Sequence, residues 1–375
     1  MSRVLFVVSS MHGGGAERVA ALLCNHWVAE GHHVTLMPTF SGRGNCLYPL
    51  DERVRLDYLA DRVGNRRQTL INKARRFTAL RKAIRDIQPD VIVSFLTDVN
   101  VAAVLAAWGL KVPVVVSERT YPPALPLRRS LEALRRWVYP KATSVVVQTE
   151  RGCSWLERYC PRAQGRVIPN PVFYPLPAGE PRLEPARIIP PPAKVILAVG
   201  RLGEEKGFAH LIQAFGELAP DRPDWHLVIL GEGGERRQLE TRRDGVGLSD
   251  RVHVPGRAGN PGDWYALADV YVMSSRFEGF PNTLLEAMAH GLPVVSFDCA
   301  TGPAEILREG VDGYLVPPEQ GAEGLSRALA VLMDDESTRK TMGHAATDVR
   351  ERFSPERVMA AWDEVLGLHQ DTGNV

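Results

Sequence analysis

The chain has 375 residues, of which 45% are hydrophobic and 24% charged, enough for two buried cores at the usual length of roughly 100–200 residues per domain. It contains no apolar run of about 18 residues, which excludes a membrane-spanning helix. Its five cysteines are scattered, without Cys-x-x-Cys or Cys/His clusters, which argues for reduced thiols and against structural zinc. A net charge of +1 conceals an asymmetry. Residues 1–170 hold 25 basic and 13 acidic residues and the remainder 20 and 31, so the halves are expected to meet different partners.

The opening "MSRVLFVVSSMHGGGAER" is too short and too polar for a secretory signal and reads as a first buried strand. Gly13, Gly14 and Gly15 then lead into a helix with Val19, Leu22, Leu23 and Trp27 on one face. Glycines between a strand and a helix let backbone N–H groups approach an anion. The run is not the dinucleotide Gly-x-Gly-x-x-Gly, and no acid ends the next strand, "VTLMPTF", which argues against nicotinamide. "TLINKARRFTALRKAIRD" spaces Leu70, Ala74, Phe77, Leu80, Ile84 and Ile87 as an amphipathic helix, with Lys73, Arg76 and Arg81 among its cations. Further runs, "DVIVSFL", "VPVVVSE" and "SVVVQT", complete the strands of this half, and "LRRSLEALRRWVYPK" adds a second basic helix carrying Arg135. This one-signed surface suits an anionic membrane. The aromatics are not interleaved as stacking platforms, so nucleic acid is not expected.

Residues 171–193 contain eight prolines and read as a linker between a first domain, 1–170, and a second, 194–353. The second begins "VILAVGRLGEEKGFAHLIQAF": Arg201 and Lys206 leave the carboxyl end of a strand on a glycine-bearing loop, a pair of cations suited to a diphosphate. "HLVILGEG", "DVYVMSS" and "PVVSFD" are its other strands. Near-continuous apolar strands separated by helices predict an α/β fold of two doubly wound Rossmann-like domains, with ligands at the carboxyl ends of the strands and the domains facing across a cleft. After "DVYVMSS" comes "RFEGFPNTLLEAMAHGLP", with Glu278 in a loop and Glu286 eight positions on, across the start of a helix near Pro281 or Asn282. Two carboxylates flanking an anion site make sense if they hold hydroxyls on either side of a phosphate bound by backbone N–H groups. The terminal segment, 354–375, reads as a helix opened by Ser354 and Pro355. Periodicity leaves its destination open, packing back on the first domain being one.

"GRLGEEKG" and the Glu-x7-Glu segment "EGFPNTLLE", with "GGGAER", "VIPNPV" and "VDGYLVPPE" in support, resemble the retaining family-4 glycosyltransferases of the GT-B fold along nearly the whole chain. "VSFLTDVN", "VSERTYPP" and "FDCATGPAEIL" are similar to bacterial transferases that add N-acetylgalactosamine or related hexoses to undecaprenyl-diphosphate-linked oligosaccharides. The resemblance implies a UDP-sugar as co-substrate, no cofactor, no metal and a lipid-linked glycan acceptor. It also implies a cytoplasmic protein held peripherally at the inner face of the cell membrane. Arg201 and Lys206 would neutralise the donor diphosphate, Glu278 would hold the transferred sugar and Glu286 the ribose. The backbone at Phe280, Pro281, Asn282 and Thr283 would meet sugar and phosphate, and Gly14 and Gly15 would close on the phosphates. Many members carry a histidine where this chain reads "SERT"; Arg119 takes its place, suited to a phosphate or hydroxyl. Lys73, Arg76, Arg81 and Arg135 would face the acceptor or the membrane. A nucleotide-sugar epimerase of the same architecture, and a family-4 transferase with a non-polyprenyl or small acceptor, are the alternatives.

Overall fold

Strand β1 (Arg3–Val8) is buried from Val4 onward and pairs in parallel with β2 (His33–Pro38) on one side and β4 (Val91–Phe95) on the other. A computed structural model of the chain describes residues 1–12, 14–40, 46, 48–63 and 70–368, without the side chains of 70, 71 and 73. Beyond β2 lies β3 (Arg55–Leu56), and beyond β4 lie β5 (Val114–Ser117), β6 (Ser144–Val147) and β7 (Gly165–Val167). Among the described residues this makes a seven-stranded sheet of order β3-β2-β1-β4-β5-β6-β7. The second sheet has the order β10-β9-β8-β11-β12-β13. Its strands are β8 (Lys194–Val199), β9 (Trp225–Leu230), β10 (Val252–Gly256), β11 (Val270–Met273), β12 (Val294–Phe297) and β13 (Gly313–Val316). Both sheets are parallel, and each is covered on both faces by apolar clusters, which is why their interior strands read as continuous Val/Ile/Leu runs.

The chain divides into two compact units, residues 1–170 with 356–375, and residues 171–355. The helix Pro355–Leu366 belongs to the first. Its Val358, Met359, Trp362 and Leu366 join the core over β1 and β4, with the Trp362 ring 5.8 Å from Phe95. Asp363 accepts from Trp27 Nε1 at 2.9 Å and meets His26 Nε2 at 3.1 Å, so the helix is fixed by polar as well as apolar contacts.

The proline-rich segment is packed onto the second unit rather than suspended as a free connection. Val172 and Ile189 are buried in that unit's core, and Trp264 Nε1 donates to the Leu183 carbonyl at 3.0 Å. Proline removes donors, not acceptors, so the segment can be laced down through its carbonyls. Among the described residues no helix is long and apolar enough to cross a membrane.

Candidate active site

The order of the second sheet reverses between β8 and β11, which pair in parallel through Val270 with Ile196 and Tyr271 with Leu197. The loops leaving these two strands therefore rise side by side at a topological switch point, where open α/β sheets bind ligands. One carries Arg201 and Lys206, the other Glu278. Backbone geometry holds them together. Gly207, which ends the short turn Glu204–Lys206, has φ 62°, and a Cβ there would lie 2.2 Å from the Ser274 carbonyl oxygen. Only glycine allows that approach. Ser274 Oγ also donates to the Lys206 carbonyl at 2.9 Å.

Lys206 Nζ lies 2.6 Å from Glu278 Oε1, with side chains 21% and 13% exposed. Ser275 Oγ donates to the same oxygen at 2.6 Å. Two donors on Oε1 orient the carboxylate. From the loop after β12, Thr301 Oγ1 donates to the Glu278 carbonyl at 2.6 Å. Beside it, Gly302 (φ 98°) lets that loop press on the next turn, where a Cβ would come within 2.7 Å of Pro281 Cδ.

The helix Asn282–Ala289 follows, and its N-cap residue, Pro281, makes no side-chain capping bond. Its N-terminal peptide dipoles point toward the loop bearing Glu278. Phe280 turns inward against Phe353, at 5.4 Å between centroids, and is buried. Thr283 Oγ1 accepts from Tyr271 at 2.8 Å. Burial, with Glu278 and Glu286 adding to it, pushes the Tyr271 phenol well above its usual pKa, so it stays a donor. Glu286 is 5% exposed and accepts from the Tyr265 hydroxyl at 3.1 Å, so it is not a helix-surface acid.

Arg201 differs from Lys206. Its side chain is 75% exposed and is held by Glu205 Oε1 at 2.6 Å from Nη2. Burial alone would raise the Glu205 pKa, but a backbone hydrogen bond and the Arg201 guanidinium together hold it below its usual value.

In the first unit the expected residues are dispersed. Gly13 lies outside the described residues. Gly14 accepts from the Tyr48 hydroxyl at 3.0 Å, and Gly15 begins the helix Gly15–Ala29. The Glu17 carboxylate turns back toward Gly14, held by Ser10 Oγ at 3.1 Å, and places a negative charge at this helix start. Arg119, just beyond β5, is 6% exposed, lies 4.6 Å from the Phe95 ring centroid and donates from Nη2 to Asn170 Oδ1. Its Nε and Nη1 have no partner among the described residues, nor does Gln148 Oε1, whose amide shares Asn170. Burial lowers the guanidinium to about 9, so it keeps its charge at neutral pH.

The basic surface is not the one expected. Arg135 is buried, 2% exposed, between the Trp155 and Tyr159 rings at 4.8 and 4.9 Å and 3.7 Å from Glu118. It shares the inward stripe of the helix Arg129–Val138 with Leu131 and Val138, so helical spacing takes it into the core. Arg81 Nη1 donates to the carbonyls of Ala106 and Trp108 at 2.7 and 2.8 Å, capping the end of the helix Thr97–Ala107. Arg76 is half-buried and donates to the Thr39 carbonyl at 2.7 Å. The Lys73 side chain lies outside the described residues. Among the described side chains of the helix Leu70–Ile87, the exposed cations are Arg75, Lys82 and Arg85.

Sequence reasoning missed Ser275, Thr301, Tyr265 and Tyr271, which shape the carboxylates. Ser275 alone had a local signal, three residues before Glu278. The others reach the site only through the sheet order.

Comparison with known proteins agrees with this architecture. Residues 13–173 match the Glycosyltransferase Family 4 model and residues 181–349 the Glycosyl transferases group 1 model. The exopolysaccharide phosphotransferase SCO2592 of Streptomyces coelicolor is 30% identical over 94% of this chain, which spans 39% of that relative's length. The Campylobacter jejuni GalNAc-alpha-(1->4)-GalNAc-alpha-(1->3)-diNAcBac-PP-undecaprenol alpha-1,4-N-acetyl-D-galactosaminyltransferase is 26% identical over 98% of both chains. Anabaena Alr3699/HepE, solved in complex with UDP, shares the fold at 18% identity, with a TM-score of 0.78 over 98% of this chain and 100% of its own. Two parallel Rossmann-like sheets and both family matches converge: the chain is a glycosyltransferase of the GT-B fold, with a family 4 domain in its first half and a group 1 domain in its second.

Proposed function

We propose that the enzyme moves a hexose, an N-acetylhexosamine by the likeness to the Campylobacter transferase, from a UDP-sugar to a lipid-diphosphate-linked glycan, retaining the anomeric configuration and working at the inner face of an anionic membrane. The observation that carries the reading is the convergence of Lys206, Glu278 and Ser275 at the switch point, beside a helix start and the buried Glu286. Lys206 is positioned for the diphosphate, assisted by Arg201. Glu278 holds sugar hydroxyls, and Glu286, steadied by Tyr265, holds the ribose.

In this reading the bond between the anomeric carbon and the diphosphate oxygen breaks as the acceptor oxygen bonds to the same face of that carbon. The acceptor proton passes to the departing diphosphate. The protein's contribution is orientation, together with cations and N–H dipoles set where negative charge grows.

The decisive experiment is a screen of UDP-, GDP- and ADP-sugars against a synthetic polyprenyl-diphosphate glycan, with product stereochemistry read by NMR. An α-linked product from a UDP-N-acetylhexosamine is expected. An inverted product, or a sugar nucleotide isomerised without transfer, overturns the reading. Lys206, Arg201 and the helix start supply positive charge without an ion, so EDTA is expected to leave turnover unchanged. Activity lost in EDTA and restored by magnesium or manganese would contradict the metal-free assignment.

The two carboxylates are expected to separate kinetically. Glu278→Gln should lower kcat with UDP affinity nearly unchanged, because its partner is the sugar that moves. Glu286→Ala should weaken UDP binding by about 1–3 kcal/mol, the usual range for a lost charged hydrogen bond. Calorimetric titration of UDP into both variants tests this, and equal losses would merge the two roles.

A further inference from the structure

The proline-rich segment grips the second unit beside one particular acid, Glu286. Asn260, buried at 1% exposure, precedes the helix Pro261–Leu267 and pairs with Leu183 in both directions. Its Oδ1 accepts from the Leu183 N–H at 2.9 Å, and its Nδ2 donates to the Leu183 carbonyl at 3.1 Å. Trp264 Nε1, in the same helix, donates to that carbonyl as well. Just before Asn260, the Gly179 N–H donates to the Gly259 carbonyl and the Gly259 N–H to the Pro181 carbonyl, each at 2.6 Å. A Cβ on Gly259 would lie 2.3 Å from the Gly179 carbonyl oxygen, so only glycine lets the two backbones come this close. These bonds fix the start of a helix whose next turn carries Tyr265, the donor to Glu286 Oε2 at 3.1 Å.

A second grip reaches the same acid through its main chain. Tyr174, also in the segment, packs edge-on against the His290 imidazole, with centroids 5.0 Å apart. His290 ends the helix Asn282–Ala289, and its Nδ1 lies 2.7 Å from the Glu286 carbonyl oxygen. A carbonyl only accepts, so Nδ1 carries the proton. The Tyr265 ring lies 5.2 Å from the same imidazole. Arg350 stands 3.5 Å over the Tyr174 ring and donates from Nε to the Ala289 carbonyl at 2.7 Å, which anchors Tyr174 to the end of the helix. Glu286 is thus held at its carboxylate by Tyr265 and at its carbonyl by His290, and both supports lean on residues 174–183. Proline fixes its own φ, so a segment rich in it is a stiff support. A carboxylate that recognises hydroxyls has to be held to within about 0.5 Å of its place.

We propose that residues 174–183, held by Asn260 and His290, form a clasp that positions Glu286, and that this clasp sets how strongly the enzyme selects a ribonucleotide. Asn260 and His290 are positioning residues in this role: they act on the nucleotide only through Glu286. The proposal rests on the reading of Glu286 as the acid that holds the ribose. Loosening the clasp frees the carboxylate from its place while Lys206 and Arg201, on another loop, keep theirs, so the loss falls on the ribose hydroxyls and not on the diphosphate.

The test is calorimetric titration of UDP, and of 2′,3′-dideoxy-UDP, which lacks both ribose hydroxyls, into the full chain and into Asn260→Ala, Tyr174→Leu and Glu286→Ala. The wild type is expected to bind UDP about tenfold or more tighter than the analogue, the scale of a hydrogen bond to a charged group. Glu286→Ala should abolish that preference. In Asn260→Ala and Tyr174→Leu the preference should fall by about threefold or more, through weaker UDP binding with the affinity for the analogue unchanged. The Tyr174 ring is exposed, so Tyr174→Leu keeps the test valid if Asn260→Ala fails to fold. A folded clasp variant that keeps the wild-type preference overturns the proposal. So does one that weakens both nucleotides alike, the result of a role in packing alone. If the wild type does not favour UDP over the analogue, or Glu286→Ala favours it as strongly as the wild type, the ribose assignment of Glu286 fails and the clasp falls with it. Where the wild type discriminates and Glu286→Ala does not, the assignment stands and the two clasp variants decide the proposal alone.

Discussion

Replacing Lys206 by Ala is expected to lower kcat by roughly 10²–10³, about 2.7–4 kcal/mol, the scale for one preorganised donor at a site of developing charge. KM for the sugar nucleotide should change less, because the diphosphate's charge grows mainly as it departs. Lys206 could act in two ways, by meeting the diphosphate or by fixing Glu278, which it touches at 2.6 Å. A double-mutant cycle separates them. If Lys206 only positions Glu278, then Lys206→Ala adds nothing once Glu278 is Gln. If it stabilises the leaving group, the two losses add. Arg201→Ala should act in the same direction but less, since its guanidinium is 75% exposed and already shared with Glu205. Steady-state kinetics on the three variants decides the matter, and a Lys206→Ala enzyme with near-normal turnover would remove Lys206 from the site.

The interior strands were legible because both their faces are buried, so they appear as unbroken apolar runs. β3, β7, β10 and β13 were not, and all four are sheet edges. An edge strand is paired on one side only and can be short or half-polar, as in the alternating burial of Val252–Gly256. The terminal helix was legible as a helix, but its partners, Trp27 and Phe95, lie more than 250 positions away, and no periodicity encodes that distance.

At the site, the opposing charges of Lys206 and Glu278 were visible because each follows a strand that the parallel topology forces to the switch point. Their bracing by Thr301 was not, since a threonine in a distant loop has no distinguishing pattern until its neighbours are known, and Ser275 offered only its place three residues before Glu278. Glu286 was visible by its spacing from Glu278. Its burial against Tyr265 depended on a contact from another helix, Pro261–Leu267.

Arg135 is where composition misled most, and it yields the largest expected effect on stability. Counted among the cations of a basic helix it looks like solvated surface. On the helical stripe of Leu131 and Val138 it is interior, wrapped by two rings and paired with the buried Glu118. Burial raises the Glu118 pKa, while Tyr139, Arg135 and Thr97 each act in the opposite direction. Arg135→Met keeps some bulk but removes the carboxylate's cation, leaving it to Tyr139 and Thr97, and removing one partner of a buried pair costs about 3–5 kcal/mol. A clear fall in the denaturant midpoint of the first unit is therefore expected, whereas Arg136→Gln on the exposed side should stay within roughly 0.5 kcal/mol of the parent. Adding Glu118→Gln to Arg135→Met should recover part of the loss, because the group left behind is then neutral. An Arg135→Met protein as stable as Arg136→Gln would show that the guanidinium is solvated after all. Full stability together with lost vesicle binding would return Arg135 to the membrane-facing surface.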